Sequence, residues 1–203
     1  MSVQTTEVIP GVFQWIANLD ASDYEVSSYY LAGSGIAIDP QLSADEPAGL
    51  PGPANQIVIT SAWHVRSVAA LAAASGAQVV TIPELVTTLE GKAPGVKFET
   101  VQSGAALADG VTIHHVGMGD YHEAVIHTTD GGGALIAGDA LSVIDGELGL
   151  ISTEYLGDDG QTVQDVIKAD LKALLALDFD SVLTTHGGPV VGDGRAQLAA
   201  LLS

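Results

Sequence analysis

The chain has 203 residues, 47% of them hydrophobic, which excludes a disordered polymer and fits one domain, residues 1–203, with a sizeable core. Twenty-five acidic residues against six basic ones give a net charge of −19, a surface that repels phosphate backbones and so excludes nucleic acid as a partner. The absence of cysteine excludes disulfides, thiolate nucleophiles and Cys-ligated zinc. Charged residues total only 15%, so the acidity reflects a scarcity of Lys and Arg and is read as a solubility feature.

The first residues, Met1 to Glu7, carry neither the basic region nor the apolar stretch of a signal peptide, and no apolar run approaches the roughly 18 residues that span a bilayer. The expected location is cytoplasmic, without a membrane partner. Short strands are expected over residues 8–16, 28–32 and 35–39, with Gly33-Ser34 turning between the last two. Residues 43–55, with three prolines, read as a loop. Residues 56–60 form a buried apolar strand, and an alanine-rich helix follows over 63–75, stopped by Gly76. Another strand is expected over 78–82, and Pro83 then opens a short helix at the position where proline is tolerated.

The second half repeats this idiom. Strands are expected over 111–116, 122–128 and 134–137, with Asp130-Gly131-Gly132-Gly133 as a hairpin turn. An amphipathic helix spans 163–177, burying Val163, Val166, Ile167, Leu171, Leu174 and Leu175 and capped by Thr162 with Asp165. A strand over 181–185 ends at His186, and a helix over 195–202 closes the chain. Two similar halves of this kind predict an α+β protein, two sheets packed face to face with helices outside.

Chemistry-bearing side chains fall where strands give way to loops, the usual place for functional groups. The three segments are Thr60 to Arg66, Gly138-Asp139 and His186-Gly187. His114 and His115 are adjacent in one strand and face opposite ways, and His127 lies five residues past His122, so these three are assigned to packing or surface. No G-x-S-x-G is present, and the glycines at 131–133 do not open a helix, so neither a serine triad nor a phosphate cradle is expected.

Taken in order, these segments resemble the metallo-β-lactamase superfamily over nearly the whole chain. Gly11-Val12-Phe13-Gln14-Trp15 resembles its opening strand, Ser28-Tyr29-Tyr30-Leu31 its N-S-Y-L segment, and Gly35 to Pro40 its liDP segment. Residues 57–60, 134–139 and 182–187 resemble the strands delivering the metal motif, the bridging aspartate and the last histidine. The resemblance implies a four-layer αββα sandwich. It also exposes a departure. The family motif Thr-His-x-His-x-Asp-His, laid on Thr60, puts Ser61, Trp63, Val65 and Arg66 at the four ligand positions, and Gly119 stands where a further histidine belongs. The loop is closer to a divergent branch reading Thr-Asn-Arg-His-His-x-Arg, in which His64 and Arg66 match and Trp63 departs.

The resemblance leaves Asp139 and His186 as inherited ligands, and His64 and His122 as residues that could complete a displaced site. Arg66 is expected to pair with Asp139, a guanidinium standing where the metal stood. Two functions follow. In the first, the protein is a non-catalytic or small-molecule-binding descendant that has lost most metal ligands and needs no cofactor. In the second, it is a hydrolase of an ester, thioester or lactam, using one zinc, iron or manganese ion on His64, His122, Asp139 and His186, with Arg66 beside them. If Trp63 lines the cleft, the ligand is expected to be apolar or aromatic on one face.

Overall fold

The structure is a computed structural model, described for residues 4–19, 24–42 and 50–203. The first sheet holds seven strands in chain order: β1 (Thr6–Ile9), β2 (Val12–Asn18), β3 (Glu25–Leu31), β4 (Ile36–Ile38), β5 (Gln56–Val58), β6 (Gln78–Thr81) and β7 (Phe98–Thr100). The second draws on β8 (Ala106–Ala108), β9 (Val111–Met118), β10 (Tyr121–Thr128), β11 (Ala134–Ala137), β14 (Ser181–Thr184) and β15 (Pro189–Val190), ordered β15-β14-β11-β10-β9-β8. A separate hairpin, β12 (Leu141–Ile144) and β13 (Glu147–Leu150), rises between β11 and β14 in the chain.

Among the described residues, four helices flank the sheets: α1 (Val68–Ser75), α2 (Pro83–Lys92), α3 (Gly160–Leu174) and α4 (Gly194–Leu201). Strand alternation sorts the core into two layers. On β10 and β11, Ala124, Ile126, Ala134 and Ile136 face the first sheet and join the core beneath α1 and α2. Val125, Leu135 and Ala137 face the other way, onto Ile167, Leu171 and Leu198 of α3 and α4. The result is the expected αββα sandwich. Among the described residues, no helix is long and apolar enough to cross a membrane.

Several boundaries differ from the sequence reading for local reasons. The strand expected over 8–16 is a hairpin, because Pro10-Gly11 turns the chain, with Gly11 at φ 85°. The helix expected from Trp63 begins only at Val68, since residues 61–67 form turns and Arg66 adopts φ 37°, a left-handed value outside helical geometry. α3 starts at Gly160, and no side chain caps it, so the Thr162 cap does not form. The hairpin turn at 130–133 stands, built on a short 3-10 turn. Part of the loop over 43–55 lies outside the described residues.

Parallel pairing sets up the site. β11 and β14 run side by side with Ala137 opposite Thr184, so Asp139 and His186, each two residues on, emerge at the same edge. β4 and β5 are likewise parallel with Ile38 opposite Val58, which brings Asp39 and Thr60 out together on the facing sheet. The Tyr29 hydroxyl donates to the Thr184 carbonyl at 2.6 Å and ties the two sheets together beside this edge.

Candidate metal centre

Asp39, buried immediately after β4, is the lowest point of the site. Its Oδ1 accepts the Thr60 amide at 2.8 Å, and Oδ2 accepts the Thr60 hydroxyl. His64 Nδ1 lies 2.8 Å from the same Oδ2. The other ring nitrogen of His64, Nε2, sits 3.2 Å from Asp139 Oδ1. His186 Nε2 approaches that oxygen from the other side at 2.9 Å, while its Nδ1 meets the Tyr24 hydroxyl at 3.2 Å. Asp39, His64, Asp139, His186 and Tyr24 therefore form one continuous line of polar contacts across the cleft.

A carboxylate on each ring nitrogen requires His64 to carry both protons. Burial by itself would lower its pKa, but Asp39 and Asp139 together outweigh this and raise it to about 9. Asp139 shows the converse: burial would raise it, and His64 and His186 hold it well below the usual carboxylate range. Asp39 is also held low against its burial, by His64 and Arg66. An imidazolium thus binds two facing carboxylates into a buried, locally balanced cluster.

This has a pH consequence for protein stripped of metal. His64 is protonated more readily folded than unfolded, so its contribution is complete below its unfolded pKa of roughly 6.5 and fades as pH rises through about 9. Urea denaturation across pH 6 to 10 should show stability falling by about 3 kcal/mol over that window, and His64→Gln should flatten the profile.

Asp139 is aimed from behind by Glu123. This fully buried carboxylate on β10 accepts Gly138 N at 2.9 Å on Oε1, and Asp139 N at 2.7 Å and Ala140 N at 2.8 Å on Oε2. The Tyr121 hydroxyl donates to Oε2 as well, at 2.8 Å. Burial, with the Asp139 charge, pushes Glu123 up to about 7 against these donors. Gly138 is required here, because a Cβ would meet Thr60 Oγ1 at 2.6 Å and Glu123 Oε2 at 3.1 Å.

Two expected site residues lie elsewhere. Arg66 does not pair with Asp139: its Nη1 donates at 2.9 Å to the carbonyls of Ser27 and Asp39, so the guanidinium braces backbone instead. The left-handed turn at Arg66 directs the side chain beneath β3 and the Asp39 bend, and His64 occupies the place opposite Asp139. His122 is also absent from the centre. Alternation on β10 turns Glu123 inward and His122 to the opposite face, where its Nδ1 lies 2.9 Å from His115 Nε2. His127 is bound to the Asp178 carbonyl at 2.9 Å and His114 to Thr112 at 2.9 Å, outside the centre as expected.

The donor set that remains fits a metal ion. One ligand atom each from His64, Asp139 and His186 lies within 4.8 Å of the others, the sole such three-residue group among the described residues. Both imidazoles present Nε2 while Nδ1 is fixed by a carboxylate or hydroxyl, the arrangement that orients ligating histidines. Asp139 Oδ2 is buried and accepts no hydrogen bond, with His64 Nε2 3.2 Å away as an ion-pair contact. Two imidazoles and one carboxylate with open positions are a set known for catalytic zinc and non-haem iron. Ser61, Val65 and Gly119 add no donor, and Trp63 is 53% exposed at the rim.

No family model matches the sequence, and no curated protein matches it significantly. Solved structures do match. A β-lactamase domain protein from Burkholderia ambifaria aligns at TM-score 0.64 and 18% identity, over 97% of this chain and 71% of its own. A metallo-β-lactamase from Hirschia baltica aligns at TM-score 0.68 and 14% identity, over 100% and 97%. A flavo di-iron protein from Thermotoga maritima aligns at TM-score 0.68 and 13% identity, covering 99% of this chain and 62% of that one. At these identities what is shared is the architecture.

Proposed function

We propose that this chain, whose fold is that of the metallo-β-lactamases, is a mononuclear metal-dependent hydrolase of an acyl substrate such as an ester, thioester or lactam. The observation that carries the reading is the convergence of His64 Nε2, the Asp139 carboxylate and His186 Nε2, each with its far side already fixed. What supports this over a non-catalytic descendant is that His64, Asp139 and His186 each offer a ligand atom to one point on the cavity floor.

His64, Asp139 and His186 would hold zinc, iron or manganese, which supplies Lewis acidity toward an acyl carbonyl and toward water. The protein's own groups do the rest. Asp39 and Thr60 keep the His64 ring in one orientation, and Tyr24 does the same for His186. Glu123 fixes the backbone that bears Asp139, whose carboxylate would orient the attacking water by accepting its hydrogen bond. The cavity above them, about 470 Å³ with His64, Asp139 and His186 in its lining, would receive the scissile group beside these residues. His64 Nε2 would have to give up its proton to serve as a ligand, so apparent metal affinity should rise with pH toward about 9.

Chelator-stripped protein should be inactive toward aryl and alkyl esters, and one of zinc, iron or manganese should restore turnover. Asp139→Asn should lower restored kcat/KM by at least about a hundredfold, as loss of both a charged ligand and the group that orients the water implies. Turnover indifferent to chelator and to Asp139→Asn refutes the proposal.

A further inference from the structure

Among the described residues, seven large apolar side chains are exposed, and four of them, Tyr24, Trp63, Ile144 and Tyr155, line one cavity of about 470 Å³. Single exposed apolar residues are ordinary, but convergence of this kind on one mouth marks a binding surface. The cavity floor is His64, Asp139 and His186, and its volume lies within the roughly 300–1,000 Å³ of small-molecule sites. Tyr155 is 72% and Ile144 67% exposed, a cost in water that a bound apolar body would reduce.

Charge narrows the class further. Three of the four rim residues have an exposed acid as chain neighbour: Glu25 beside Tyr24, Asp145 beside Ile144 and Glu154 beside Tyr155. Of the six cations in the chain, Arg66 alone lines the cavity; its Nη1 donates to the Ser27 and Asp39 carbonyls, and its Nη2 is buried without a hydrogen-bond partner. Lys92 reaches the Ala62 carbonyl at 2.8 Å near Trp63, but it is exposed and no part of the cavity wall. The field of the whole chain, at −19, opposes an incoming anion.

We propose that the site selects substrates with an aromatic or alkyl body and no negative charge, and discriminates against carboxylate- or phosphate-bearing acyl compounds. This rests on the hydrolase reading for the identity of the site, yet binding can be read without metal or turnover. Trp15 is buried at 1% exposure and Trp63 is the other tryptophan, so a change in the emission of solvent-exposed indole reports occupancy of the rim.

The test titrates metal-free protein with N-hexyl-4-phenylbutanamide and with two analogues whose hexyl end carries a carboxylate or an ammonium. The neutral amide should shift Trp63 emission to the blue and saturate. The carboxylate should bind at least about tenfold more weakly, a gap that narrows in high salt, and the ammonium should bind within about threefold of the neutral amide. Tyr155→Ala and Ile144→Ser, both at exposed positions, should each weaken the neutral amide by about threefold to tenfold, in line with the loss of apolar burial. Equal or tighter binding of the carboxylate, or no binding of the neutral amide, overturns the proposal while leaving the metal-hydrolase reading standing. A protein that takes up no metal but keeps the neutral preference loses the hydrolase reading and retains this one.

Discussion

His64→Ala should lower the stability of the metal-free protein by about 3–5 kcal/mol near neutral pH, the cost of stranding buried charges whose partner has been removed. The loss is large because His64 serves two carboxylates at once. Asp39, with no exposed surface, would keep Thr60 and the Arg66 field but lose its imidazolium, and Asp139 would keep only His186. Urea denaturation monitored through Trp15 measures this directly. His64→Gln tests the same point with less change of volume: an amide can reach one carboxylate but cannot supply a positive charge to two, so it should recover only part of the loss. Wild-type stability in either variant would mean that the imidazolium contributes nothing and that the contact line across the cleft is incidental.

Glu123→Ala carries the second large effect. It strands three backbone N–H groups at residues 138–140 together with the Tyr121 hydroxyl, in a region without solvent access. Unsatisfied donors of this kind cost about 1–3 kcal/mol each, and relief of the repulsion with Asp139 offsets part, so a net loss of at least about 3 kcal/mol is expected. The variant should also weaken metal binding, because the loop holding Asp139 is no longer fixed. Glu123→Gln separates the two effects. It keeps the volume but turns an N–H₂ toward groups that are themselves donors, so zinc affinity should fall about 10–100-fold, as for other residues that orient ligands. Unchanged zinc affinity in Glu123→Gln would show that the carboxylate only fills space.

The architecture was largely legible because it depends on repeated, redundant signals. Apolar strands ending in Asp139 and His186 fix the parallel β11 and β14 pair, and two-residue alternation then separates the two cores. The site was less legible because its members depend on side-chain direction. Spacing identified Asp139, His186 and His64, but nothing in the local pattern tells whether His122 or Glu123 faces inward on β10; the signal available was an acid set in the apolar run Ala124-Val125-Ile126. Arg66 misled for a similar reason. Its place at a ligand position of the family motif pointed it toward Asp139, whereas the turns that precede Val68 direct it to the Ser27 and Asp39 carbonyls. Asp39 was visible as part of a recurrent segment, yet its role as the anchor of His64 depends on β4 and β5 being neighbours, which the sequence does not print. Tyr24 carried no signal at all.

Three side chains suffice for one ion. Metal content settles it: protein reconstituted with zinc, iron or manganese and then dialysed should retain close to one ion per chain by elemental analysis, and His186→Ala should retain almost none. Retention of two ions per chain, or uptake that survives His186→Ala, would contradict a centre built on His64, Asp139 and His186.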